Sequence, residues 1–130
     1  MKKIISTDKA PAAVGPYSQA VKAGNMLFIS GQVGLDPATG KMVEGLENQV
    51  ERVLENLKAV VEEAGGTMGS IVKATVLLQS MDDFKTMNGI YSRYFTEDPP
   101  ARAAFAVAAL PLGALVEITA IALIDQPSSE

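Results

Sequence analysis

The 130-residue chain contains no histidine, no cysteine and no tryptophan. Without His or Cys it cannot build a disulfide, a thiolate nucleophile, a zinc finger or an imidazole acid–base catalyst. Its chemistry must come from carboxylates, Lys, Arg, Tyr, hydroxyls, amides, backbone groups or a borrowed cofactor. Positive charge is also short: eleven Lys and Arg stand against fifteen Asp and Glu, a net charge of −4. Only Lys2 and Lys3 are adjacent. No basic stripe can neutralise phosphates, which argues against nucleic acid or an anionic membrane as partner. The N-terminus lacks the apolar core of a signal peptide. Residues 103–124 carry Glu117 as their single charge and are long enough to span a bilayer. However, Pro111 and Gly113 interrupt them, and two strands joined by a Pro-Leu-Gly turn fit better. A soluble, cytoplasmic protein is expected.

What is present suits one domain, residues 1–130, with 48% apolar residues for a core. Strands are expected over 3–6, 17–23 and 26–30, the last two joined by the hairpin signal Gly24-Asn25. Leu46, Val50, Val53, Leu54, Leu57, Val60, Val61 and Ala64 then recur at helical spacing, and Gly65-Gly66 stops that helix. Strand character returns over 71–79. Ser80 and Asp83 look like a capping box opening a second helix, with a stripe of Phe84, Met87, Tyr91, Tyr94 and Phe95 that Asp98-Pro99-Pro100 ends. Strands over 102–109 and 115–124 follow, and residues 126–130 form a polar tail. The order β-β-β-α-β-α-β-β predicts an α+β fold: a mixed six-stranded sheet with both helices on one face. Ala104, Ala106 and Ala108 share the side of Arg102, opposite Phe105 and Val107. This shallow side is expected to receive a second subunit rather than a loop.

Arg52 and Arg93 fall on helices among acidic residues, where solvated faces explain them. Arg102 differs, because it opens an apolar strand behind Pro99-Pro100. Glu117 is the next charge along the chain, in a strand expected to lie beside that of Arg102. Charges on core strands persist when paired or functional. Two readings stand: a buried Arg102–Glu117 ion pair, or a site. In the site, Arg102 grips a planar carboxylate, and Glu117 handles a proton or water. Glu117 can serve as a base there only if the lowering effect of Arg102 on its pKa outweighs burial. Asn88 lies on the apolar side of the second helix, where an amide by default satisfies loop backbone groups. Tyr17 and Ser30 bound the hairpin, where strand ends deliver side chains to clefts. Gly31 permits either close approach to a ligand or a plain turn.

Three blocks carry a family resemblance: Thr7…Ala10-Pro11…Gly15-Pro16-Tyr17-Ser18-Gln19-Ala20, then Phe28-Ile29-Ser30-Gly31-Gln32 with Pro37…Thr39-Gly40, then Pro100-Ala101-Arg102-Ala103…Phe105…Ala108…Leu110 and Val116-Glu117-Ile118. Together they resemble the reactive intermediate deaminase A group of the YjgF-type (Rid) family over nearly the whole chain. The resemblance implies a fold like the Bacillus type of chorismate mutase and a homotrimer with its sites between subunits. It also implies hydrolysis of 2-imino acids, such as 2-iminobutanoate and 2-iminopropanoate, to 2-keto acids and ammonia, with no metal or organic cofactor. By resemblance, Arg102 clamps the substrate carboxylate and Glu117 orients or deprotonates the water. Tyr17 and Ser30 shape the pocket, the Gly31 and Ala104 backbones make polar contacts, and Asn88 is counted with the site. Many bacterial members carry Ser or Thr and then Cys after the arginine; Ala103-Ala104 departs from this and excludes a reactive thiol. Endoribonuclease or translation-inhibitor activity and a non-catalytic carboxylate-binding or chaperone-like role are the rival readings.

Overall fold

In the computed structural model, which describes residues 1–125, eight regular elements follow the expected order. They are β1 (Lys2–Ile5), β2 (Ala20–Ala23), β3 (Met26–Gln32), α1 (Leu46–Glu63), β4 (Ile71–Leu78), α2 (Phe84–Tyr94), β5 (Ala101–Ala106) and β6 (Val116–Leu123). The expected polar tail, 126–130, lies outside the described residues. Gly24-Asn25 closes the β2–β3 hairpin, Ala23 pairing with Met26 and Gly24 supplying a positive φ of 61°. Gly65, at φ 95°, turns the chain out of α1, and the Gly66 N–H donates back to the Val61 carbonyl at 2.9 Å. The expected capping box forms by half. Ser80 accepts from the Asp82 N–H, but Met81–Asp83 is a short 3-10 turn and the Asp83 side chain makes no reciprocal bond.

One six-stranded sheet results, in the order β1-β2-β3-β6-β4-β5. All its pairings are antiparallel except β4 with β5, so the sheet is mixed. The helices cover one face. Leu27 and Ile29 of β3, Ala74, Val76 and Leu78 of β4, and Val116, Ile118, Ala120 and Ala122 of β6 are buried. They share one core with Val50, Val53, Leu54, Leu57, Val60 and Val61 of α1 and with Met87, Ile90 and Tyr91 of α2. Strand pleating sends the alternate residues to the other face. There Phe28, Phe105 and Leu123 keep 45%, 48% and 40% of their surface in solvent, so among the described residues nothing covers that face. Among the described residues, no helix is long and apolar enough to cross a membrane.

Two expectations are corrected. Arg102, Ala104 and Ala106 pair beside Ala74, Val76 and Leu78, so the alanine side is the helix side. Ala104 packs against the core of its own chain and Arg102 against α2, while Ala106 stays exposed. Nor are β5 and β6 neighbours, because β4 lies between them.

The long connection from β3 to α1 is held by Asn56, which is fully buried. Its amide nitrogen donates to the carbonyls of Val33 (3.2 Å) and Leu35 (3.0 Å), and its oxygen accepts from Arg52 Nε at 3.0 Å. Asn56→Ala strands both carbonyls. It should lower unfolding free energy by about 1–3 kcal/mol in urea titrations at fixed protein concentration, whereas Asn48→Ala, on the exposed face of α1, should leave it unchanged.

Candidate active site

Arg102 sits second in β5, with one residue between it and the Pro99-Pro100 pair that ends the connection from α2. Its side chain turns to α2. Nη1 donates to Asn88 Oδ1 at 2.6 Å, and the guanidinium carbon stands 4.8 Å from the Tyr91 ring centroid and 5.5 Å from that of Phe84. Residues 84, 88 and 91 recur at helical spacing, which puts all three on one face of α2. Asn88 therefore serves an arginine, not the loop backbone groups expected of it. Tyr91 Oη is buried without a hydrogen-bond partner among the described residues. Burial raises its pKa above the usual tyrosine value, and the nearby Arg102 charge works against that rise. A cleft of about 420 Å³ opens beside the guanidinium, walled by Tyr91, Phe95, Pro99 and Pro100.

Glu117 occupies a different environment. On β6 it lies between buried Val116 and Ile118, so it projects to the uncovered sheet face. The register of β3 against β6 shifts between Ile29 and Gln32, and within that irregularity Gly31 faces the Glu117 side chain. A Cβ on Gly31 would overlap the Glu117 carboxylate. The close approach that Gly31 permits is thus, within the chain, an approach by Glu117. Beside it, Ser30 Oγ donates to the Ser18 carbonyl at 2.6 Å, and the Ser30 N–H donates to the Gln19 carbonyl at 2.9 Å. Tyr17 is half exposed, its hydroxyl accepting from the Val14 N–H at 3.4 Å. Gly31 thus contacts Glu117, Ser30 precedes Gly31 in β3, and Tyr17 precedes Ser18, the hydrogen-bond partner of Ser30. Buried Gln19 anchors the loop leading into it: Oε1 accepts from the Thr7 N–H (2.7 Å), and Nε2 donates to the carbonyls of Thr7 (2.9 Å) and Pro11 (2.8 Å). Burial raises the Glu117 pKa above the usual glutamate value, and no cation offsets it. The expected lowering by Arg102 is absent.

Its absence follows from the pleat. Arg102 pairs beside Ala74, on the helix side of the sheet, and Glu117 beside Leu77, on the other. With β4 between them, the two charges face opposite ways, and the ion-pair reading fails. The ion pair among the described residues is the exposed Arg93–Glu51 contact at 3.8 Å. The candidate residues thus fall into two groups on opposite sheet faces. Arg102 lies with Asn88 on the helix side, Ala104 sharing that side of β5; Glu117 lies with Gly31 on the other, with Ser30 and Tyr17 in the adjoining segments. The roles of Tyr91, Phe84 and Gln19 escaped the sequence reading. The 84/88/91 spacing was the available signal, but aromatic residues at helical spacing equally describe a core stripe.

The family described as Endoribonuclease L-PSP matches residues 7–124. The 2-iminobutanoate/2-iminopropanoate deaminase of Mus musculus is 52% identical over 124 residues, 95% of this chain and 92% of that protein. The crystal structure of RidA from Psychrobacter sp. PAMC 21119 superposes with a TM-score of 0.92 at 52% identity, covering 94% of this chain and 99% of that one. Escherichia coli TdcF, solved with bound serine, gives 0.92 at 41% identity, covering 95% and 99%.

The contact between Gly31 and Glu117 is testable apart from any activity. Gly31→Ala should cost about 1–3 kcal/mol of stability through overpacking. In an Glu117→Ala background that cost should largely vanish, since the clashing carboxylate is gone. Equal costs in both backgrounds, measured by denaturant titration, would show that the carboxylate does not occupy this space.

Proposed function

Because the chain belongs to the endoribonuclease L-PSP family, we propose that it hydrolyses 2-imino acids to 2-keto acids and ammonia, clearing reactive imines that pyridoxal-phosphate enzymes release. The observation that carries this reading is Arg102. One of the five guanidinium N–H groups is engaged by Asn88, leaving the remaining donors for the fork-on-fork grip of a carboxylate. The apolar wall of Tyr91, Phe95, Pro99 and Pro100 beside it suits a short aliphatic side chain.

The step needs little more than positioning and a base. Water adds to the imine carbon while Glu117 accepts its proton, giving a carbinolamine. With the imine nitrogen protonated beforehand, Glu117 returns that proton to the amine and takes the hydroxyl proton as the C–N bond breaks, so that ammonia leaves and the carbonyl forms. An imine carbon is already electrophilic, so no cofactor is required, and one oriented base is worth on the order of 10²–10⁴-fold. Contrary to expectation, Glu117 does not need Arg102 to lower its pKa. Burial alone sets the direction, so Glu117 acts as base through its ionised fraction, which grows as pH rises, and the raised pKa makes that ionised form the stronger base. Tyr17 closes the pocket, and the Gly31 and Ala104 backbones supply polar contacts. The Ser30 hydroxyl donates its hydrogen bond to the Ser18 carbonyl, so its oxygen meets substrate as an acceptor. Asn88 contributes through Arg102.

Since Arg102 and Glu117 point away from each other in one chain, a substrate touching both lies between subunits. A homotrimer, closing the uncovered apolar faces of its sheets, supplies three such sites in the cytoplasm. RNA cleavage, the activity in the family's description, has weaker physical support: the chain carries a net charge of −4 and no His.

Generating 2-iminobutanoate in situ with a threonine dehydratase, and subtracting spontaneous hydrolysis, tests the reading. The wild type should accelerate keto-acid release. Arg102→Ala should lose about 10²-fold or more in kcat/KM, and Glu117→Gln should lose a similar factor in kcat while still binding 2-oxobutanoate. Co-refolding the two inactive variants in equal amounts should restore about a quarter of wild-type activity, from sites pairing an intact Arg102 with an intact Glu117 of the next subunit. No restoration would place both residues in one subunit's site. Because the base works only when ionised, kcat/KM should rise with pH through a limb above the usual glutamate range, and Glu117→Gln should abolish that limb.

A further inference from the structure

Resting on the reading that Arg102 binds the substrate carboxylate, we infer that Phe84, Asn88 and Tyr91 form a clamp on α2 that presets the Arg102 guanidinium, and that Tyr91 acts through the face of its ring rather than its hydroxyl. These three are positioning residues.

The clamp is built from groups that hold a cation without neutralising it. Asn88 offers a neutral carbonyl oxygen to Nη1 at 2.6 Å, which orients the guanidinium plane and leaves its charge uncancelled. Tyr91 and Phe84 present aromatic rings at 4.8 and 5.5 Å. Ring quadrupoles attract a cation through its face while leaving the in-plane N–H groups untouched. Carboxylates at those positions would hold the arginine more firmly, but they would compete with a substrate carboxylate for the same donors. Among the described residues, no Asp or Glu forms an ion pair with Arg102. A long side chain loses rotamer freedom when it binds a ligand, and one already held in place loses less.

Tyr91 separates ring from hydroxyl. Its oxygen is buried and has no hydrogen-bond partner among the described residues, so within them it makes no bond that holds the arginine. The ring stays close to the guanidinium all the same, and packs on Phe95 with centroids 4.5 Å apart. That second contact stops the ring from swinging away. Asn88, at the middle of the same helix face, fixes the direction of the plane that the rings support.

Calorimetric titration with 2-oxobutanoate, the carboxylate product, reads the clamp directly, with circular dichroism confirming that each variant is folded. Asn88→Ala and Tyr91→Leu should each weaken binding by about tenfold. In the dehydratase-coupled assay the same loss should fall mainly on KM. Tyr91→Phe keeps the ring and should bind like wild type. Asn88→Asp should lose more than Asn88→Ala, because its carboxylate pairs with Arg102 internally. Wild-type affinity in both Asn88→Ala and Tyr91→Leu, with binding lost in Arg102→Ala, would overturn the clamp while leaving the arginine's role intact. A Tyr91→Phe loss equal to that of Tyr91→Leu would overturn the ring assignment. Should Tyr91→Leu fail to fold, Asn88→Ala and Asn88→Asp, at a half-buried position, decide alone. If instead Arg102→Ala binds 2-oxobutanoate as well as wild type, it is the carboxylate-binding role of Arg102 that fails.

Discussion

Strand β6 pairs with β3 along one edge and β4 along the other, and its pleat divides the molecule into a covered side and an open side. Val116, Ile118, Ala120 and Ala122 lie in the core beneath the helices, while Glu117, Thr119, Ile121 and Leu123 alternate onto the other face. A slip of one residue in this pairing would drive Glu117 into the core and four apolar residues out of it. The cost of burying an unpaired carboxylate there, added to the apolar area lost, makes the register unambiguous. Everything about the site descends from this division: Glu117 is held over Gly31 on the open face, and β4 carries the same alternation outward to Arg102 on the covered one.

The two charged groups that the proposed reaction would use are thereby kept apart. Side by side, Arg102 and Glu117 would neutralise each other, lowering the basicity of the glutamate and filling the donors of the arginine. In separate settings each is tuned by its own neighbours. Burial without a cation raises the Glu117 pKa, and an amide with two aromatic faces holds the arginine without cancelling its charge. In the proposed intersubunit site, the substrate would contribute the anion that Arg102 lacks. A chain without His or Cys reaches hydrolytic chemistry this way because an imine asks only for orientation and a proton acceptor.

Legibility followed the range of the interactions involved. The Gly24-Asn25 hairpin, the eighteen-residue α1 and the glycine stop after it depend on residues a few positions apart, and their sequence patterns announce them. Arg102 and Glu117 stood out because charges are rare between residues 102 and 124. Strand order is set by pairings between distant segments, so nothing local revealed that β4 separates β5 from β6. The alanine side of β5 was misread for a related reason. Small residues admit a close neighbour of any kind, and the neighbour of Ala104 here is the core of the same chain. Asn88 was misjudged because an amide on an apolar helix face signals a buried partner without saying which one.

The sequence by itself determined the elements, the mixed α+β class, the family and the short list of residues able to do chemistry. Its periodicities and three spaced blocks are local properties that survive in a string of letters. Only the tertiary structure decided which face each residue occupies, that Glu117 leans on Gly31, and that Arg102 rests on Asn88, Phe84 and Tyr91. Those are outcomes of strand register and helix docking, where segments dozens of residues apart compete for one core, and no short window of sequence contains that competition.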